Sequence, residues 1–159
     1  CNSAHAFLEP IRQATALPLV SIIEVTLQEV LESAPGARRA GLLATDGLTA
    51  SGIYQGALEA SGLEPVLPGD EDSRSLMALI RKIKAGNRGE EVAREMGALA
   101  ELLASAGADV IIAGCTEIPL VLNAPVITVP VISSTDALAR KTVALARGLE
   151  PLDPFLRAT

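Results

Sequence analysis

The stretch Asp109-Val110-Ile111-Ile112-Ala113-Gly114-Cys115 places a short apolar run directly before a glycine and a cysteine. A continuous apolar run of this length is typical of a strand that is buried on both faces of a parallel sheet. Behind it, Thr116 and Pro119 are typical of the first turn of a helix. The stretch therefore predicts a parallel strand with Cys115 at its carboxyl end, which is where open α/β sheets bind ligands.

Apolar runs and longer amphipathic stretches alternate along the rest of the chain. Further strands are predicted at 19–23, 40–44, 63–67 and 126–129, and helices at 25–31, 51–61, 73–85, 88–106 and 134–148, besides the helix that begins after Cys115. Strands that alternate with helices of this kind predict an α/β fold, a mostly parallel sheet flanked by helices. Aromatic residues are only 2% of the 159 residues, so we expect an aliphatic core.

The composition restricts the partners that the chain can have. The formal net charge of −6 argues against nucleic acid or an anionic membrane as the main partner. No apolar run reaches the ~18 residues expected of a membrane span. The first residues, 1–5, lack the pattern of a signal peptide and the initiator Met, so we expect a piece of a longer protein.

Two cysteines, Cys1 and Cys115, are too few for a disulfide framework, so free thiols in a reducing cytoplasm are expected. At a helix amino terminus, backbone N–H groups favour a thiolate, and the pKa of Cys115 is expected to fall below its ordinary value of roughly 8.5. Cys1 precedes the capping residues Asn2 and Ser3 and a stretch that can open a helix. The alternative for either thiol is a small buried apolar side chain, and for Cys1 a disordered terminus.

Other polar residues allow two interpretations each. His5, the only histidine, can be a plain helix-face residue, and one His with two distant Cys predicts no metal site. The segment 45–47 is either an anion-binding loop or a plain turn. Lys84, at a helix end, either binds a ligand or only complements the helix dipole.

Four blocks in order resemble the aspartate/glutamate racemase family. The segments Cys1-Asn2-Ser3-Ala4-His5 and Gly114-Cys115-Thr116-Glu117-Ile118-Pro119-Leu120 resemble its two signature motifs. The segment 41–54 looks like a third block and Ile83-Lys84-Ala85-Gly86 like a fourth. His in the first motif with Glu in the second favours the aspartate branch. Ser3 and Leu48 depart from the family, which usually has Thr at both positions.

The resemblance implies two similar α/β domains with the active site between them. Residues 18–125 would form one complete domain, and residues 1–17 with 126–159 would belong to the other, whose absent amino-terminal part would add most of its sheet and a substrate-binding arginine. Cys1 and Cys115 would be the catalytic thiols, with the sulfurs roughly 7 Å apart, about two van der Waals contacts. The implied substrate-binding residues are Asn2, Ser3, Ala4, Thr45, Lys84 and Thr116.

The implied activity is interconversion of L- and D-aspartate, or glutamate, by a base and an acid on opposite faces of Cα. No cofactor and no metal are implied. The implied partner is a small amino-acid substrate, and the implied location is the cytoplasm. A homodimer is compatible with the resemblance. Two alternatives remain open. A hydantoin racemase or maleate isomerase would use the same thiols, and a domain lacking half of its cleft would be an inactive fragment.

Overall fold

One parallel sheet organises the part of the chain that the computed structural model describes, residues 1–122 and 127–151. Within these residues its strands are β1 (Arg39–Leu43), β2 (Glu64–Val66), β3 (Val110–Ala113) and β4 (Val131–Ser133), in the order β2-β1-β3-β4. All neighbouring strands are parallel. The predicted α/β fold with a parallel sheet flanked by helices is therefore confirmed.

The α-helices that connect and cover the strands follow the predicted alternation. They are α1 (Leu8–Ala14), α2 (Ile22–Ser33), α3 (Asp46–Ser51), α4 (Ile53–Ala60), α5 (Asp70–Lys84), α6 (Glu90–Ser105) and α7 (Ser134–Ala146). Two 3₁₀ turns, Asn2–Phe7 and Ile118–Leu120, follow the two cysteine-bearing segments. Gly107, with φ of 94°, adopts a left-handed conformation that a side chain would strain, and it turns the chain from α6 into β3.

The strand residues alternate between two apolar layers. Val110 and Ile112 of β3 pack in a cluster with residues of α2, α3 and α4, whereas Ile111 and Ala113 pack with residues of α5 and α6. Because successive strand side chains point to opposite faces, a strand that is buried on both faces must be apolar throughout. Both clusters are almost wholly aliphatic, as the composition predicted; Tyr54 is the exception.

The strand order reverses at β1. The chain runs from β1 to β2 on one side and then places β3 on the other side of β1, with Leu43 opposite Ala113. The segments that follow these two adjacent strands therefore lead to opposite faces of the sheet. The crevice between the two segments is the usual ligand site of such sheets. Thr45 follows β1 and Cys115 follows β3, so both lie at this point.

The prediction of a strand at 19–23 is wrong. Ile22 and Ile23 lie in the first turn of α2, and the side chain of Ser21 accepts a hydrogen bond from the Glu24 N–H at 3.2 Å. Serine followed three residues later by glutamate is a capping pattern, and it outweighs the apolar run as a local signal.

The strand predicted at 126–129 is also displaced. Val126 lies outside the described residues, and 127–129 form bends, while the strand is β4 at 131–133. Pro130 has no N–H to donate, so regular pairing starts after it, although its carbonyl accepts from Ile111 N at 2.8 Å. Since β4 pairs with β3, the sheet crosses the predicted boundary at 125; the division into domains 18–125 and 1–17 with 126–159 stays a prediction.

The segment 45–47 is not a plain turn. Thr45 is the N-cap residue of α3, which begins at Asp46. Leu48, where the family usually has Thr, is buried in the core at 1% exposure and packs with α2 and α4.

Gly41→Ala is expected to lower the free energy of unfolding by about 1–3 kcal/mol, the usual cost of overpacking a core. A Cβ at Gly41 would lie 2.6 Å from Ile111 Cδ1 and 3.1 Å from Leu103 Cβ. Gly56→Ala is the matched control, because no atom lies within 4 Å of its added Cβ in α4. There alanine is expected to stabilise by about 0.5–1 kcal/mol. Denaturant titration of both variants measures the difference, and equal effects would contradict it.

Candidate active site

A small cavity of about 280 Å³ lies at the point where the strand order reverses. It brings together both cysteines, which are 114 positions apart in the sequence. Its lining comes from the first residues of the chain, the end of β1, the end of α5 and the segment after β3. The residues that line it are Cys1, Asn2, Ser3, Thr45, Lys84, Gly114, Cys115, Thr116 and Glu117.

Glu117 links the buried thiol to the lysine. Its Oε2 accepts hydrogen bonds from the Cys115 thiol and from the Thr116 hydroxyl, each at 2.9 Å. Its Oε1 lies 3.9 Å from Lys84 Nζ, and the Glu117 side chain is 19% exposed against 57% for Lys84. The two carboxylate oxygens of Glu117 therefore have different partners, a thiol on one side and a cation on the other.

The expectation that the pKa of Cys115 is lowered is wrong. Burial, together with the hydrogen bond to the Glu117 carboxylate, raises the pKa of the Cys115 thiol to about 11. The helix predicted after Cys115 is only the single 3₁₀ turn Ile118–Leu120, so little dipole is available to favour a thiolate. Although burial opposes it, hydrogen bonds from Cys115 and Thr116 lower the pKa of Glu117, so the shared proton belongs to sulfur.

Asn2 anchors the segment that carries the other thiol. Its side chain is 3% exposed, and Nδ2 donates to Ser134 Oγ at 3.0 Å. Ser134 Oγ in turn donates to the carbonyl of Ala113 at 2.9 Å. A buried chain of two hydrogen bonds thus connects the residue after Cys1 with the strand that ends just before Cys115, and it fixes the two thiol-bearing segments relative to each other.

His5 holds the same segment from the other side. Its Nε2 accepts from the Ile22 N–H at 3.2 Å, so Nδ1 carries the proton and donates to the Cys1 carbonyl, also at 3.2 Å. Burial lowers the pKa of His5, which agrees with a neutral ring. His5 therefore ties the backbone of Cys1 to the first turn of α2, a contact that the single-histidine pattern did not predict.

The structure gathers most of the predicted site residues. Cys1 is exposed and Cys115 is buried, and both are free thiols. Ser3 Oγ and Thr45 Oγ1 form a hydroxyl pair at 3.2 Å, with either as donor. Ala4 is not part of the cavity lining, and its N–H donates to the Cys1 carbonyl at 3.2 Å. The roles assigned to these residues, and the expected distance between the sulfurs, stay predictions.

The sequence patterns identify neither Glu117, which lines the cavity, nor Ser134, which supports it, as functional residues. Glu117 distinguishes branches of the family, and its position two residues after Cys115 is the signal that indicates a thiol partner. Ser134 carried no local signal, because its role depends on the packing of Asn2 against the end of β3.

Residues 1–122 and 127–151 contain neither a metal-ligand cluster nor a membrane-spanning helix. No group of three or more His, Cys, Asp or Glu side chains there could hold a metal ion. Among the helices of the same residues, none is long and apolar enough to cross a membrane.

Fold and site together define an α/β protein with a small cavity, lined by two thiols, at the carboxyl edge of a parallel sheet. Sequence comparison matches residues 1–142 to the Asp/Glu/hydantoin racemase family. The chain belongs to this family.

Relatives and solved structures agree with this membership. The chain is 34% identical over 143 residues to the broad specificity amino-acid racemase RacX of Bacillus subtilis, covering 90% of this chain and 61% of RacX. An aspartate racemase homologue from Pyrococcus horikoshii superposes with a TM-score of 0.78 at 30% identity, over 92% of this chain and 64% of that one. Picrophilus torridus aspartate racemase shares the fold, with a TM-score of 0.74 at 24% identity over 92% of this chain and 60% of that one. The chain thus spans a little under two thirds of each relative.

Ser134→Ala is expected to lower the free energy of unfolding by about 1–3 kcal/mol, because it leaves buried groups of Asn2 and Ala113 without their partner. Ser105→Ala, at the exposed end of α6, is the matched control and is expected to have little effect. Urea denaturation of the two variants and the parent provides the comparison. A loss at Ser134 no larger than at Ser105 would remove the buried hydrogen-bond chain as a structural anchor.

Proposed function

We propose that this protein is an amino-acid racemase that interconverts L- and D-aspartate, or glutamate, by proton transfer between two thiols and Cα, without a cofactor. The observation that carries the proposal is that Cys1 and Cys115 line one small cavity at the ligand-binding edge of the sheet. Family membership supports the same class of reaction.

Racemisation requires a base that removes the α-proton from one face of Cα and an acid that returns a proton to the opposite face. Thiols suit both roles, because each can act as a thiolate or as a thiol near neutral pH when its surroundings tune it. The hydrogen bond from the buried Cys115 thiol to the Glu117 carboxylate favours the protonated form of this thiol, which supports a proton-donor role for Cys115.

Charge that grows on the substrate α-carboxylate as the carbanion forms needs hydrogen-bond donors. The candidates are the N–H groups near Asn2, Ser3 and Thr116 and the hydroxyls of Ser3 and Thr45, all within the cavity lining. The Ala4 N–H, which was expected to join them, is engaged by the Cys1 carbonyl and is the weakest candidate.

Lys84 is the cation proposed for a second carboxylate of the substrate. It is the last residue of α5, and its side chain reaches the cavity at the Glu117 carboxylate. A charge-assisted hydrogen bond of this kind contributes roughly 1.5–3 kcal/mol.

A second candidate is a racemase of broad specificity, as RacX is named. It is supported by the 34% identity to RacX. It is also supported by the ion pair between Lys84 and Glu117, because that pair offsets part of the positive charge that would attract the second carboxylate of a dicarboxylic substrate. The two candidates differ in how strongly Lys84 should discriminate between substrates.

Cys115→Ser is expected to abolish racemisation of aspartate by the native polypeptide that carries this sequence. A hydroxyl at this position is a far weaker acid and base than a thiol. Chiral chromatography of the product measures the reaction, and circular dichroism of the variant controls for folding. Activity within about 10-fold of the parent would contradict the proposal. Exchange of the α-proton with deuterated solvent separates the half-reactions.

Lys84→Ala is expected to lower kcat/KM for aspartate by about 10- to 150-fold, the equivalent of one charge-assisted hydrogen bond. The effect on alanine, which has no side-chain carboxylate, is expected to be much smaller. Lys82→Ala is the matched control, since Lys82 pairs with Glu95 near the same end of α5 and does not line the cavity. Equal losses on aspartate and alanine would favour the broad-specificity candidate.

A further inference from the structure

A second cavity, of about 500 Å³, lies along the outer face of α6. It is an open groove with a mostly apolar lining, which includes Ala93, Gly97 and Ala98 of the helix and Ile127 beside it. None of its described lining residues lines the candidate active site. Nothing in the racemase proposal uses this groove, so its composition requires a separate explanation.

Gly97 is unusual because it lies in the middle of α6, where glycine destabilises a helix relative to alanine. Its backbone does not require glycine, since its φ is not positive. Its surroundings do not require glycine either, because an added Cβ would lie 3.9 Å from Ile127 Cδ1, an ordinary van der Waals contact. What glycine does permit is the close approach of a second backbone from outside the chain.

Two opposite charges lie on the same face, one on each side of Gly97. Arg94 is exposed, and in the described part of the chain its guanidinium makes no ion pair. Glu101 is held in place by Thr128, whose N–H donates to Oε1 and whose hydroxyl donates to Oε2 at 3.0 Å. Both donors are neutral, so the Glu101 carboxylate keeps its charge and can accept further hydrogen bonds.

We propose that this face of α6 is an interface between two copies of this chain, in which the two α6 helices pack antiparallel about a two-fold axis beside Gly97. Residues at equal distances on opposite sides of such an axis face each other across the interface. The midpoint of 94 and 101 lies between 97 and 98, so Arg94 of each copy faces Glu101 of the other. The same axis brings the two Gly97 residues to the point of closest approach.

A second copy fits this surface better than an unrelated partner does, because the charges and the glycine select the same point on the helix independently. By symmetry, the second copy supplies the carboxylate that Arg94 lacks and a matching small residue. Leu102, one turn after Ala98, is 40% exposed and adds apolar surface at the border of the groove. The inference concerns a different surface from the proposed active site and does not rest on the proposed function.

Reversal of one charge is the first test of the interface. Sedimentation velocity of the native polypeptide that carries this sequence, over a range of concentrations, measures the dissociation constant of the dimer. Arg94→Glu and Glu101→Arg each place like charges opposite one another, and each is expected to raise this constant at least about 10-fold. The two substitutions combined exchange the charges and are expected to recover most of the affinity. Glu59→Arg, exposed on α4 in the opposite layer, is the matched control and should leave the constant unchanged.

A larger side chain at the axis tests the close approach of the two helices. Gly97→Met is expected to raise the dissociation constant at least about 10-fold, because the side chain holds the helices apart. Circular dichroism is expected to show an intact fold, since methionine favours a helix more than glycine does. This variant separates loss of the interface from loss of the fold.

Disulfide cross-linking tests the antiparallel geometry, because a residue beside a two-fold axis faces its own copy. In variants whose other cysteines are serine, Ala98→Cys is expected to link two copies on mild oxidation. Ser105→Cys, two turns further along the same helix, is the matched control. It lies about 10 Å farther from the axis along the helix, so its two copies are too distant for a disulfide.

A native polypeptide that stays monomeric up to about 100 μM overturns the inference. A dimer whose dissociation constant neither charge reversal changes also overturns it, as does a dimer that Ser105→Cys links as readily as Ala98→Cys. If a charge reversal fails to fold, Gly97→Met and the cross-link decide. None of these measurements involves turnover, so their failure leaves the proposed racemase function untouched.

Discussion

Parallel pairing of β1 with β3, in the register that sets Leu43 opposite Ala113, is the constraint on which the site depends. It brings the residues after the two strands to one edge of the sheet, and the reversal of strand order opens a crevice between them. Gly114 belongs to the same constraint: a Cβ there would lie 3.2 Å from the Leu43 carbonyl, which accepts the Gly114 N–H at 2.8 Å. The close approach of two backbones therefore places Cys115 at the crevice before any side-chain contact is considered.

The second thiol reaches the crevice by a different route. Its segment is not part of the sheet, and its position depends on side chains: Asn2 to Ser134 and Ala113, and His5 to the first turn of α2. One cysteine is thus positioned by backbone pairing in the core and the other by a few polar contacts. Both modes of support meet at the end of β3, because the buried hydrogen bonds of Asn2 and Ser134 reach the carbonyl of Ala113.

Much of the fold could be predicted from the sequence because long apolar periodicities are local signals. The face of α5 formed by Leu76, Leu79, Ile80 and Ile83 is buried as its spacing indicates. Errors arose where two local signals compete, as at Ser21, where a capping pattern outweighed an apolar run, and where a proline delayed β4. The membership of Cys115, Thr45 and Lys84 in one cavity could be expected from motifs. The ionisation of Cys115 could not, because it depends on burial and on the rotamer of Glu117, which only the three-dimensional arrangement determines.

Tyr54 is the only tyrosine of the chain, which has no tryptophan, and its ring is fully buried in the layer formed with α2 and α3. The opposite layer, with α5 and α6, contains no aromatic side chain among the residues that define it. Near-ultraviolet circular dichroism and intrinsic fluorescence therefore report mainly on one side of the sheet. Loosening confined to the α5–α6 side, where Lys84 originates, would be almost invisible to these probes. Hydrogen exchange of individual backbone amides measures local opening on both sides of the sheet, because it does not depend on an aromatic side chain.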